Sequence, residues 1–261
     1  MKRPGGLSIF FLLLFGSALL LSSAMVRHIT AEGDAEEAAF QELAEAVRVE
    51  KPVREETAAD QESPQLDEAP SPYAAIKEQN PDFFGWLSID GTELSYPVMH
   101  TPEEPEYYLR RNFERERAES GVPFLAGNCY EGCGNYLIYG HNMKNGSMFA
   151  ALLFYAEPEY WEQHPTIQLD TLNGAKEYQV MAAFYSKVYQ RGEENVFRFY
   201  QYGELTSESV FADYVEQVRN QSLYDTGICA EYGDQLLTLV TCSYHTGNGR
   251  FVVVARKQAE K

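Results

Sequence analysis

Residues 236–254 read Leu236-Leu237-Thr238-Leu239-Val240-Thr241-Cys242-Ser243-Tyr244-His245-Thr246-Gly247-Asn248-Gly249-Arg250-Phe251-Val252-Val253-Val254, two apolar runs flanking a Gly-Asn-Gly turn. Short apolar runs rich in β-branched residues on either side of such a turn predict a β-hairpin. If the hairpin folds symmetrically about Thr246, Cys242 and Arg250 become cross-strand partners. Directly opposite residues point to one face, with Cβ atoms about 4.5–5.5 Å apart. A cation beside a cysteine favours the thiolate, the nucleophilic form of the side chain. The same guanidinium can donate hydrogen bonds to a developing oxyanion. The alternative at this point is a buried inert cysteine and a surface arginine.

A thiolate nucleophile needs a partner that protonates the leaving amine. The chain has five histidines: His28, His100, His141, His164 and His245. His245 follows Cys242 by three residues, an offset that strand alternation turns to the opposite face. His141 ends an apolar run in Tyr136-Leu137-Ile138-Tyr139-Gly140-His141-Asn142-Met143, between a flexible glycine and a polar asparagine. That position suits a strand end opening onto a site.

Outward from these two stretches, the coarse pattern is mainly β. Trp86-Leu87-Ser88-Ile89-Asp90-Gly91 through Tyr96-Pro97-Val98 predicts two strands around an Asp-Gly turn. Further strands are predicted at Tyr136–Tyr139, Thr166–Leu169, Glu177–Val188, Gln235–Cys242 and Arg250–Lys257. Helices are predicted at Tyr73–Asn80, Glu106–Phe113, Gly146–Tyr155 and Ser207–Asn220, with a shorter turn at Tyr160–His164. Strands without regular helix alternation favour an antiparallel barrel or sandwich over a parallel sheet. No glycine-rich phosphate loop, CxxC pair or HExxH is present.

Composition divides the 261 residues into three regions. Residues 1–30 carry three bases and no acid, and Leu7 to Val26 is an uncharged apolar run of twenty residues. Twenty apolar helical residues span about 30 Å, the thickness of the bilayer hydrocarbon. Lys2 and Arg3 precede the run, so the positive-inside rule keeps the N-terminus in the cytoplasm and sends the rest outside. A cleaved signal peptide, cut near Ser22-Ser23-Ala24, is the competing reading and also exports the body. Residues 31–71 form an acidic Ala/Glu/Pro-rich stalk, with a helix predicted over Ala35–Val49 from Phe40, Leu43 and Val47. Its polarity predicts a solvated spacer. Residues 72–261 form the folded body. The formal charge of −18, from 39 acidic and 21 basic residues, argues against a nucleic-acid partner.

The body resembles the sortases, and class B in particular. Thr238-Leu239-Val240-Thr241-Cys242 with an arginine eight residues on, and Gly140-His141-Asn142-Met143-Lys144-Asn145-Gly146-Ser147-Met148-Phe149 upstream, carry the likeness. Asn80-Pro81-Asp82-Phe83-Phe84-Gly85-Trp86-Leu87, Tyr96-Pro97-Val98, Asn112-Phe113 and His164-Pro165 add to it, so that it spans about residues 72–257. The resemblance implies a membrane-anchored cysteine transpeptidase of Gram-positive bacteria. Its fold would be an eight-stranded β-barrel with N-terminal helices and an additional helix before a late strand. It implies Cys242 as nucleophile, His141 as general acid/base and Arg250 as oxyanion and substrate anchor. The implied partners are surface proteins with a C-terminal sorting motif, of NPxTN or PxTG type, and an amine of the peptidoglycan precursor. No cofactor or metal is implied. Two rival readings share the residues: an extracellular cysteine peptidase using water as acceptor, and a non-catalytic wall-binding barrel.

Three cysteines lie outside this scheme. Cys129 and Cys133 are spaced C-x3-C without two further ligands for zinc, which leaves a local disulfide or two free thiols. Cys229 reads as a buried structural cysteine.

Overall fold

A computed structural model describes residues 35–45, 71 and 73–258. The predicted membrane run Leu7–Val26 lies outside the described residues, and no helix among those described is long and apolar enough to cross a membrane.

Eight strands close into a barrel: β1 (Phe83–Ser88), β2 (Ser95–Met99), β3 (Phe124–Leu125), β4 (Asn135–Tyr139), β5 (Thr166–Thr171), β6 (Glu177–Lys187), β7 (Leu236–Cys242) and β8 (Gly249–Lys257). Their order around the barrel is β1-β2-β3-β4-β7-β8-β6-β5. Most neighbours are antiparallel, as the hairpin-rich sequence predicts. The β2–β3 and β4–β7 pairs are parallel. The second of these matters for the site, because it carries the histidine strand and the cysteine strand upward side by side.

The late hairpin is buried along most of its length. Leu236, Leu237, Leu239 and Val240 of β7 and Phe251, Val252, Val253, Val254 and Ala255 of β8 have no solvent exposure. Both runs are continuous rather than alternating because helices and loops cover their outer face. Helix α4 (Glu208–Gln221) supplies part of that cover through Phe211, Tyr214 and Val218, at spacing i, i+3, i+7. Ser207 caps it by accepting a bond from the Val210 N–H. The Tyr214 hydroxyl meets that of Thr238 at 2.7 Å, and Thr238 donates to the Asn135 side chain at 2.9 Å. This buried chain locks α4 onto the roots of β4 and β7. It is the expected helix before a late strand.

Among the described residues, two helices precede the barrel. Helix α1 covers residues 35–45 of the predicted helix; residues 46–49 lie outside the described residues. It is not a solvated spacer here. Phe40 is 3% exposed and meets the Tyr96 ring edge-on, with centroids 5.4 Å apart. Burying such a ring stabilises the contact by about 1.5–3 kcal/mol. The stretch is polar on average, but Phe40, Leu43 and Ala44 concentrate its few apolar groups on one face; residues 31–34 and 46–70 of the predicted stalk lie outside the described residues. Helix α2 (Ala74–Gln79) follows Tyr73, whose ring stacks near Phe83 and Trp86 while its hydroxyl donates to Asp170 at 2.7 Å.

The irregular segments depart most from the sequence reading. The helix predicted at Glu106–Phe113 is a single 3-10 turn, Tyr107–Arg110. Asn112 ends it by accepting the Glu116 N–H on its side chain, a local bond that competes with helix. The helix predicted at Gly146–Tyr155 starts only at Phe149 and is a 3-10 helix, Phe149–Ala156. Gly146 and Met148 both have positive φ, which no right-handed helix admits. The turn predicted at Tyr160–His164 is instead a helix, α3 (Pro158–Gln163), opened by a proline at its N-terminus. Strand β3 went unpredicted, since two residues show no alternation.

Candidate active site

Cys242 is the last residue of β7 and pairs with Arg250, the second residue of β8. The register expected from symmetry about Thr246 is the one observed. Both residues are partly exposed, whereas Thr241 and Phe251 beside them are buried. The pair therefore sits where the barrel wall ends and solvent begins. Arg250 also faces Ser186 across the β6–β8 ladder. Its guanidinium donates back to the Gly249 carbonyl at 2.9 Å and the Asn248 carbonyl at 3.3 Å. These bonds hold the fork at the mouth of the turn. Gly249 itself must lack a Cβ, which would run into the Ser243 carbonyl and the His245 ring.

His141 arrives from β4. The parallel ladder of β4 and β7 runs to Tyr139 opposite Val240 and is extended by the Gly140 N–H, which donates to the Val240 carbonyl at 3.1 Å. Beyond that point, side chains replace the backbone ladder. The Thr241 hydroxyl donates to the Gly140 carbonyl at 2.8 Å, and the Asn142 amide donates to the Cys242 carbonyl at 3.0 Å. The backbone carrying the histidine is thereby tied on both sides to the backbone carrying the cysteine. Gly140 is required as glycine, because a Cβ there would lie 2.5 Å from the Phe149 ring.

The imidazole is oriented from a third direction. Its Nε2 lies 2.8 Å from the Leu109 carbonyl oxygen, to which it donates. Leu109 is fixed by the 3-10 turn, whose Tyr108 is fully buried, donates to Asp82 at 2.8 Å and accepts from Asn80 at 2.8 Å. With Nε2 bearing the hydrogen, Nδ1 is left to exchange a proton. Burial is the main influence on the ring and pulls its pKa below the ordinary 6.5, only partly opposed by the Leu109 carbonyl. The neutral imidazole is favoured at neutral pH.

The other candidates fall away on position. His245 lies in the exposed turn after β7 rather than in a strand, so alternation does not apply to it. Its Nδ1 is 3.0 Å from the Ser243 hydroxyl, and its ring packs on Tyr185 at 4.8 Å. Cys129 and Cys133 are free thiols, 2% and 1% exposed, each donating to the Asn135 carbonyl at 3.3 Å. Hydrogen bonding with Cys133, together with burial, pushes the Cys129 thiol far above the range in which it ionises. Cys229 is exposed, against expectation. It lies between α4 and β7 in a loop whose backbone, not its thiol, is held, the Cys229 carbonyl accepting from Arg256 at 2.7 Å. A groove of about 980 Å3 between α4 and residues 222–232 is lined by none of Cys242, His141 and Arg250.

Sequence reasoning missed three groups here: the Leu109 carbonyl, the Asn142 amide and the Thr241 hydroxyl. The last two stand inside the quoted motifs, next to His141 and Cys242. The first is a backbone atom, 32 residues from the histidine it orients, with no sequence signal.

The closed barrel pairs a cysteine with an arginine at one strand end, and the strand next to that cysteine leads into the histidine. A family model described as Sortase domain matches residues 87–258. Sortase B of Listeria monocytogenes is 31% identical over 185 residues, covering 68% of this chain and 70% of that protein. Sortase B of Staphylococcus aureus is 26% identical over 188 residues, covering 70% and 73%. The solved Staphylococcus aureus sortase B-substrate complex has the same fold, with a TM-score of 0.73 at 22% identity over 88% of this chain and all of that one. The chain belongs to the sortase family, as a class B sortase. It is a cysteine transpeptidase acting on surface proteins at the cell envelope.

Proposed function

We propose that Cys242 is the nucleophile, His141 the proton carrier and Arg250 the group that receives the oxyanion. The observation that carries this is the cross-strand pairing of Cys242 with Arg250 at the exposed end of the β7–β8 ladder. In the first half-reaction the Cys242 sulfur bonds to the carbonyl carbon of the sorting-motif threonine. His141 Nδ1 takes the thiol proton and delivers it to the departing amide nitrogen as the C–N bond breaks. The carbonyl oxygen becomes an anion on the way, and the planar fork of Arg250 offers two directional donors to it. In the second half-reaction an amine attacks the thioester, and Cys242 leaves as the thiol.

The sorting motif in this reading is of NPxTN or PxTG type, and the acceptor is an amine of the peptidoglycan precursor. Residues 1–30 hold the chain in the membrane through Leu7–Val26, with residues 72–261 outside the cell. The charge asymmetry and the uninterrupted apolar run support this arrangement. A peptide library presented with and without an amine acceptor tests the whole reading. Cleavage after threonine that yields an amide product when amine is present supports transfer. Hydrolysis alone at every amine concentration would make the chain a peptidase.

A further inference from the structure

Helix α1 touches more than the barrel wall. Glu37 lies one helical turn before the buried Phe40, and its carboxylate oxygens lie 3.1 and 3.3 Å from the Tyr96 hydroxyl, which donates to them. The same hydroxyl oxygen accepts the Met148 N–H at 2.9 Å. Met148 is 2% exposed and has φ 58°, ψ −128°, a conformation a methionine rarely takes. Without Tyr96 its N–H would be a buried donor lacking this partner, which costs free energy. Met148 is in turn the bridge partner of Asn142, and the next N–H, that of Phe149, donates to the His141 carbonyl at 2.8 Å. Loop 141–149 is therefore closed on itself at His141 and Asn142, and pinned from outside by Tyr96. Beside this pin, Glu36, Glu37 and Phe40 of α1 and Met143, Asn145, Ser147 and Met148 of the loop enclose a space of only about 10 Å3. The Glu36 carboxylate adds a contact by accepting the Ser120 N–H at 3.3 Å.

We infer that α1 is a positioning element for the catalytic loop, in which Glu37 orients the Tyr96 hydroxyl, Tyr96 fixes Met148, and Met148 holds the backbone that carries His141. This rests on the assignment of His141 as proton carrier. A hydroxyl that both donates and accepts has one direction fixed by each bond, and a fully satisfied buried network is rigid. Removing the carboxylate frees the hydroxyl to turn and loosens the strained residue it holds. Glu37 touches no reacting atom, so its effect falls on the rate of reaction and not on substrate affinity.

The test uses the full chain with the variants Glu37→Ala, Glu37→Gln, Glu37→Leu and His141→Ala. Turnover is read with a fluorogenic peptide bearing an NPxTN motif and triglycine as acceptor, and deuterium uptake is read in the segment 141–149. We expect Glu37→Ala to lower kcat about tenfold with KM within twofold, and to speed amide exchange in 141–149 severalfold. Glu37→Gln keeps an acceptor oxygen and should restore both to within twofold of the parent, whereas Glu37→Leu, which has similar bulk and no acceptor, should behave like Glu37→Ala. Unchanged exchange in Glu37→Ala, or faster exchange with unchanged kcat, would overturn the inference. Wild-type turnover by His141→Ala would instead overturn the histidine assignment and the catalytic meaning of α1 with it. The exchange result still reports on the contact by itself.

Discussion

The Asn142 side-chain amide donates to the backbone carbonyl of Cys242 at 3.0 Å, joining the residue after the histidine to the cysteine itself. The bond stands where the parallel ladder of β4 and β7 has run out, so it takes over the work of the sheet beyond the last paired residues. Asn142→Ala should leave the Cys242 carbonyl without this donor and let the two segments drift. Such a loss in a half-buried site costs about 1–3 kcal/mol, which corresponds to a fall of about 5- to 150-fold in kcat/KM. Steady-state kinetics on the variant would show it. A variant with parental kcat/KM would mean that the backbone holds the geometry unaided.

Cys242→Ala should abolish both cleavage and transfer, while Cys129→Ala and Cys229→Ala keep most activity. Cys242 alone pairs with a cation at an exposed strand end; Cys129 is buried and held protonated, and Cys229 sits in a loop beyond α4. Intact-mass and peptide mass spectrometry of the trapped intermediate should find the acyl group on Cys242. An adduct on Cys129 or Cys133 would refute the assignment.

The pH profile follows from the burial of His141. A neutral imidazole must accept the thiol proton, so acylation rises with pH as the ring loses its own proton. Because burial pulls the ring pKa below 6.5, the acid limb of kcat/KM should lie below pH 6.5. His245, exposed in the turn, should be replaceable by alanine with little effect, and His141 should not. An acid limb at or above pH 6.5 would show that burial does not govern this ring.

Arg250→Lys keeps the charge and loses the planar fork. If directional bonds to the oxyanion are its main contribution, kcat should fall about 10²-fold. The alkylation pKa of Cys242 should then hardly move. Near-parental turnover by the lysine variant would show that a point charge is enough.

Deleting residues 1–30 should leave a soluble, active protein, because residues 35–45 of α1 lie beyond the deletion and their contact with Tyr96 survives. Sedimentation and turnover of the truncated chain check this. Recovery only as inactive aggregate would mean that the apolar run does more than hold the membrane.

The late hairpin was legible in the residues themselves. Apolar β-branched runs on both sides of Gly247-Asn248-Gly249 call for a hairpin, and symmetry about Thr246 sets Cys242 against Arg250, the pairing observed. Helix α4 was legible too, through an apolar face at helical spacing behind a serine cap. What the residues could not show was anything decided by parts of the chain far apart. The His141 ring takes its orientation from a carbonyl 32 residues upstream, and a backbone oxygen has no residue identity to read. Helix α1 looked like solvated stalk because composition averages over faces, while docking depends on where Phe40 and Glu37 meet Tyr96, 59 residues from Glu37. Local periodicity is written along the chain, but burial and hydrogen-bond direction at a site exist only once the barrel has closed around it.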